Sequence, residues 1–275
     1  MHNASVIQLV VTDLDGTLWR GDAHVPPSTR AAMDELERRR IPLLAATARR
    51  SWSAAHYFRL AGLDLPAVLL NGALGRERGG GPQFHTRTFD PAHALAALEI
   101  FTRRGVTPCA YFESQEWDVV SGPNPSSGEP YLLWAASQLR LVDDLSAMVA
   151  SLPVYAFSVV ACPEASSLRK IRSELAQAGG VGMVNLFEDK VFGGWTLDCA
   201  PEGVNKWSGV EAFCRYRGLD PAAVLAIGDG DNDVELLEHA VRSCAMSHAS
   251  ERAKAAAQVT LTGGMDGWGQ VLDYL

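Results

Sequence analysis

Two short acidic segments of this 275-residue chain carry side chains that could do chemistry. Asp13-Leu14-Asp15-Gly16-Thr17 sets two carboxylates beside a glycine that permits a sharp turn. Gly228-Asp229-Gly230-Asp231-Asn232-Asp233 packs three carboxylates into five consecutive positions. Like charges a few ångström apart repel by roughly 4 kcal/mol at an effective dielectric near 20, so such a cluster calls for a cation, solvent or protonation. Asp229, Asp231 and Asp233 imitate positions 1, 3 and 5 of a calcium-binding EF-hand loop. That reading fails because Val234 stands where the loop needs glycine and Ala240 where it needs glutamate. Hard oxygen ligands without soft donors favour Mg2+ over zinc or copper, and Mg2+ usually shares its site with water and substrate phosphate. Two further residues are suited to gripping phosphate: the Thr47 hydroxyl in Ala46-Thr47-Ala48-Arg49, and the Lys206 ammonium in Gly203-Val204-Asn205-Lys206 at a helix start. Each feature has a plainer reading. Asp-Gly is a common turn with Asp15 as a cap, Asp233 can cap an acidic helix end, and a loop Thr or a helix-start Lys is more often a cap or a solvated charge.

The elements that must position these residues alternate between strand and helix. Val6–Val11 reads as a strand covered on both faces, Ser28–Arg40 as a helix capped by Ser28, and Ile41–Ala46 as a second strand. Ser51–Leu60 reads as a helix and Ala67–Leu70 as a third strand closed by Asn71-Gly72. Near the C-terminus the pattern returns: a helix over 203–218, a strand over 224–227, a helix over 233–240, a strand over 243–246 and a helix over 250–257. This order predicts parallel strands with right-handed crossovers, and both acidic segments directly follow strands, where open α/β sheets bind ligands. The middle differs. Gly79-Gly80-Gly81-Pro82 breaks the pattern as a hairpin or a junction, and helices over 91–104 and 164–179 mix with strands over 107–113, 116–121, 152–161, 181–187 and 191–197. The expected fold is α/β, a Rossmann-like doubly wound parallel-sheet core (1–79 and 196–275) with an inserted α+β cap (80–195).

Composition excludes several classes. With 24 Lys+Arg against 32 Asp+Glu and a net charge of −8, the chain lacks the basic surface of a nucleic-acid binder. No apolar run approaches the roughly 20 residues of a membrane span, and the N-terminus lacks the pattern of a signal peptide. The five cysteines form no C-x-x-C pair, which fits reduced, buried thiols in a cytoplasmic protein. The expected partner is a small molecule.

Taken in order, DLDGT at 13–17, Thr47, Lys206 and GDGDND at 228–233 resemble the four motifs of the haloacid-dehalogenase (HAD) superfamily of phosphohydrolases. Leu70-Asn71-Gly72-Ala73, the 233–237 helix start and the Glu251–Thr260 region resemble its Cof-type subfamily (IIB) more closely, and the insert lies where that subfamily carries its cap. Thr47-Ala48-Arg49 departs from the usual Thr-Gly-Arg, and Ser247-His248-Ala249 from the usual Gly-Asn-Ala. The resemblance implies a Mg2+-dependent phosphatase acting on a small phosphate monoester, a sugar phosphate or similar metabolite, through an aspartyl phosphate. Asp13 would be the nucleophile and Asp15 the acid and base. Asp13, the Asp15 carbonyl and Asp229 would hold the metal. Thr47, Lys206 and Asn232 would hold the phosphoryl group, and Asp233 would stand behind them, orienting Lys206 or a water. The alternatives are a phosphomutase of the phosphomannomutase type, which returns the phosphoryl group to its substrate, and a phospholigand-binding protein without turnover.

Overall fold

The computed structural model describes residues 7–21, 23–114 and 116–275. The chain begins with β1 (Leu9–Thr12), α1 (Pro27–Arg38), β2 (Leu43–Ala46), α2 (Ser51–Ala61) and β3 (Ala67–Leu69). A single 3-10 turn over Leu70–Gly72 leads into a hairpin of β4 (Leu74–Arg76) and β5 (Gln83–Thr86). The insert follows as α3 (Pro91–Thr102), β6 (Cys109–Tyr111), β7 (Val119–Ser121), α4 (Glu129–Ala135), β8 (Leu139–Leu141), α5 (Leu145–Ser151), β9 (Ala156–Cys162), α6 (Ala165–Leu175), β10 (Val181–Glu188) and β11 (Trp195–Pro201). The chain closes with α7 (Lys206–Arg217), β12 (Val224–Gly228), α8 (Val234–His239), β13 (Arg242–Ala245), α9 (Glu251–Ala256), β14 (Val259–Thr260) and a 3-10 stretch over Gly264–Tyr274.

Two compact units result: 1–49 with 53–86 and 205–275, and 50–52 with 87–204. The first is an eight-stranded sheet in the order β14-β13-β12-β1-β2-β3-β4-β5, parallel except for the β4–β5 hairpin at one edge. β1 pairs with β12 on one side and β2 on the other, so the strand order reverses at the centre of the sheet. In such sheets, ligands bind beyond the strand ends at the point of reversal. The central strands are nearly all apolar and buried: Leu9, Val10 and Val11 beside Leu44 and Ala45, and Leu225, Ala226 and Ile227. Burial on both faces explains the near-continuous apolar runs. From the final 3-10 stretch, the fully buried Trp268 donates its indole N–H to Thr12 Oγ1 (3.0 Å), tying the C-terminus to β1.

The second unit is a six-stranded sheet, β10-β11-β9-β6-β7-β8, antiparallel except at β7–β8. Its apolar face (Ala110, Val120, Phe157, Val159, Leu197) packs with Leu98 and Phe101 of α3, Val149 of α5 and Leu168 and Ile171 of α6. The opposite face carries Cys109, Tyr111, Ser121, Ser158 and Asp198. Phe112 and Phe157 belong to this core. Tyr111 and Tyr131 are buried with their hydroxyls 3.0 Å apart.

The expected boundaries, 79/80 and 195/196, lie a strand short of the observed ones, 86/87 and 204/205. β5 completes the first sheet after the glycine-rich turn, and β11 pairs inside the second sheet before the chain returns. The insert's ends adjoin: a β-carbon on Gly203 would stand 3.2 Å from Arg87 Nη2.

Several local expectations are corrected. Ser28 does not cap α1; Pro27 opens it, and the Ser28 hydroxyl bonds to Asp266 instead. Position 6, counted in the first strand, lies outside the described residues. α4, β8 and α5 went unread within 123–151. The last strand of the insert begins at Trp195 and not Val191, because Asp189 accepts the amides of Val191 and Phe192 (2.9 Å each) and bends the chain into a turn. Among the described residues, no helix is long and apolar enough to cross a membrane.

Candidate active site

β1 and β12 run side by side, with Thr12 opposite Ile227. Asp13 is the first residue past one and Asp229 the first past the other, so sheet pairing alone brings the two acidic segments to one edge. One carboxylate oxygen each from Asp13, Asp229 and Asp233 lies within 4.8 Å of the others. Gly16 takes φ +85°, and a β-carbon there would stand 2.6 Å from Asp229 Oδ2, so only glycine lets the turn fold against that carboxylate. Thr17 donates its hydroxyl to Asp229 Oδ1 (2.7 Å).

Lys206 enters from the first turn of α7. Asn205 caps that helix, accepting from Ser208 N (2.8 Å), while the Ser208 hydroxyl accepts from Asn205 N (3.3 Å). This reciprocal cap fixes where the helix starts and hence where Lys206 projects. Beneath it, Gly72 sits at φ +114°, and a β-carbon would stand 2.0 Å from the Asn205 carbonyl oxygen. Lys206 Nζ donates to Asp13 Oδ1 and to Asp233 Oδ1, each 2.6 Å away, with its side chain wholly buried. Asp233 is fully committed: its second oxygen accepts the amides of Asp229 (3.0 Å) and Gly230 (2.9 Å). Asp13 and Asp229, by contrast, engage only Oδ1 in these bonds and have Oδ2 left for a ligand.

The charges are unbalanced. Burial raises the Asp13 carboxyl well above its usual range; Lys206 opposes that shift, while Asp233, Asp229 and Asp15 add to it. Burial, then Asp233, also raises Asp229. Burial alone would discharge Lys206, but Asp13 and Asp233 outweigh it and hold the ammonium protonated beyond the ordinary lysine range. Three carboxylates thus share one lysine, and the raised carboxyls register that crowding.

Thr47 lies just past β2, buried, its hydroxyl accepting the Arg49 amide (3.1 Å). Its carbonyl accepts from Asn71 N (3.0 Å), and the Asn71 side-chain oxygen accepts from Asn232 Nδ2 (2.9 Å). Thr47, Asn71 and Asn232 thus form one connected rim. Asp231 does not join the carboxylate group; it accepts from the Ser250 hydroxyl (2.6 Å) and from Arg252 Nη1 (3.0 Å) beside the start of α9. His248, exposed, donates Nε2–H to the Gly16 carbonyl (2.7 Å), so the departure from the usual asparagine still braces the first turn.

The Asp15 carboxylate is held elsewhere. Arg49 donates from Nε to Oδ2 (2.6 Å) and from Nη2 to Oδ1 (2.7 Å), and Trp19 donates its indole N–H to Oδ1 (3.1 Å). Sequence reasoning passed over Arg49, Thr17 and Asn71. All three lie inside the quoted motif stretches, so their positions were visible, but nothing in their residue types announced what they touch.

A profile of the haloacid dehalogenase-like hydrolases matches residues 10–267. An HMP-PP phosphatase of Citrobacter koseri is 26% identical over 255 residues, 88% of this chain and 85% of that protein. Among solved structures, a HAD-superfamily phosphatase from Bacteroides thetaiotaomicron superposes with a TM-score of 0.80 at 19% identity, covering 100% of this chain and 97% of that one. A HAD subclass IIB sugar phosphatase superposes with a TM-score of 0.74, also at 19% identity, covering 97% and 98%. With the paired strand ends, the buried lysine between two carboxylates and the family match over nearly its whole length, the chain belongs to the haloacid dehalogenase-like hydrolases, as a Cof-type phosphatase.

Proposed function

We propose that this enzyme is a Mg2+-dependent phosphatase that hydrolyses a small phosphate monoester, a sugar phosphate or a similar metabolite, through an aspartyl phosphate on Asp13. The observation that carries the reading is the buried Asp13–Lys206–Asp233 arrangement beside Asp229, with one oxygen of Asp13 and one of Asp229 left over. That donor set is all hard oxygen and carries excess negative charge, so it fits Mg2+. Asp13, the Asp15 carbonyl and Asp229 would hold the ion, whose charge keeps Asp13 ionised and offsets the phosphoryl oxygens.

The chain's own residues supply the rest. Lys206 fixes the Asp13 rotamer through Oδ1, so that Oδ2 faces the incoming phosphorus. Asp13 Oδ2 forms the bond to phosphorus as the bond to the leaving oxygen breaks, and Asp15 delivers a proton to that oxygen. Water then attacks the same phosphorus, Asp15 accepts its proton, and the aspartyl bond breaks to release inorganic phosphate. Lys206, the Thr47 hydroxyl and the Asn232 amide hold the phosphoryl oxygens as charge builds. Asp233, saturated by Lys206 and two amides, keeps Lys206 aimed and is not itself a ligand.

Asp13→Asn tests the assignment. With Mg2+ and a panel of phosphorylated metabolites, wild type releases inorganic phosphate and Asp13→Asn loses turnover by at least about a thousandfold, the scale on which removing a covalent nucleophile acts. Retained turnover in the variant would reject Asp13 as nucleophile. An isomerised ester without free phosphate would select the mutase, and binding without either product would select the non-catalytic reading.

A further inference from the structure

The carboxylate that the proposed reaction needs as proton donor cannot donate as it stands. Both Asp15 oxygens accept hydrogen bonds: Oδ2 from Arg49 Nε, Oδ1 from Arg49 Nη2 and from the Trp19 indole. The fork that holds them is itself braced. Arg49 Nη1 donates to the Ser53 hydroxyl (2.8 Å), and the guanidinium lies 3.6 Å from the centroid of the Tyr57 ring, which in turn stacks on Trp19 (6.4 Å). Asp15 is also absent from the carboxylates that converge within 4.8 Å. A bidentate, ring-backed guanidinium is a directional clamp and not a passing surface contact.

We propose that Arg49 is a positioning residue: with Trp19 it locks Asp15 in a resting orientation, and leaving-group protonation requires Asp15 to leave that fork. The proposal rests on the reading of Asp15 as acid given above. The lock taxes only the fraction of enzyme competent for acid catalysis, so its cost depends on how much the leaving group needs a proton. p-Nitrophenolate leaves without one; an alkoxide does not.

The test compares kcat/KM for glycerol phosphate with that for p-nitrophenyl phosphate, using the full-length enzyme with Mg2+. In Arg49→Gln the glycerol-to-nitrophenyl ratio rises on the order of fivefold, the worth of one part-exposed ion pair. Arg49→Lys, which keeps the charge but loses the fork, gives a smaller rise. Trp19→Phe, which keeps the ring and removes one donor, moves the ratio the same way. An unchanged or falling ratio in Arg49→Gln overturns the lock, whether Arg49 then proves structural or substrate-binding. If Arg49→Gln fails to fold, Trp19→Phe decides by the same ratio. Failure of the phosphatase reading registers separately, as turnover in Asp13→Asn.

Discussion

A single methyl group on Gly16 would meet two obstacles, a left-handed backbone and the Asp229 carboxylate 2.6 Å away. Gly16→Ala is therefore expected to cost upwards of 1 kcal/mol in urea unfolding. It is also expected to lower kcat at least tenfold by displacing Asp229, while KM for p-nitrophenyl phosphate moves less. An unchanged kcat would mean that Asp229 has no fixed role. At this scale the sequence was informative where a residue's role follows from its type and its place past a strand. Asp13 and Asp229 do converge, and Lys206 pairs with both Asp13 and Asp233. It was silent where a role depends on which neighbour a side chain happens to face. Arg49 could equally have pointed to solvent, and only three-dimensional placement puts its fork on Asp15. Asp231, with the same residue type and spacing as its neighbours, turns away to Ser250 and Arg252 because helix α9 starts beside it.

Two elements carry consequences of their own. The Asn205–Ser208 cap sets the start of α7, so Asn205→Ala should lower stability by about 1 kcal/mol, with Asn205→Asp restoring most of it. Chemical denaturation of the two variants would check this. In the β9–β11 pair, burial raises the Asp198 carboxyl to about 6; a hydrogen bond from Ser158 opposes the shift and Asp189 adds to it. The unfolded chain ionises that group near 3.8, so between these values the folded state binds more protons and stability falls as pH rises through the window. Ionised Asp198 then costs at most about 3 kcal/mol. Asp198→Asn, whose amide oxygen can still accept from Ser158, should raise the urea midpoint at pH 8 and leave it little changed at pH 4. Equal effects at both values would show that Asp198 titrates normally. The elements read best from sequence were those with two buried faces, such as β1 and β12. α4, β8 and α5 escaped because each is only a turn or two of helix or three residues of strand, too short for a hydrophobic period to declare itself.

For the whole molecule, charge is the deciding quantity. The chain carries −8 overall, and among the described residues Asp13, Asp229 and Asp233 bring one oxygen each within 4.8 Å of the others beside Lys206. A divalent cation that binds there stabilises the folded state by mass action, about 2.7 kcal/mol at a hundredfold excess over its Kd. Thermal melts with Mg2+ and with EDTA should therefore differ by several degrees, and Asp229→Asn should abolish most of the difference. A variant that kept the full Mg2+ shift would move the ion's site elsewhere. At this scale, the parallel sheet with an inserted second unit was legible from the alternation of strand and helix, whereas its limits were not. β5 joins the first sheet only by folding back on β4 across the glycine-rich turn, and β11 pairs with β9, a partner distant in sequence that no local composition reveals.

Arg87 and Gly203, the doorposts of the inserted unit, stand side by side. A stretch of chain whose two ends share one doorway can grow, shrink or be exchanged without rerouting the strands that place Asp13 and Asp229 or the helix that places Lys206. What can vary freely is therefore one self-contained loop of more than a hundred residues, while the converging carboxylates keep their places at the strand ends.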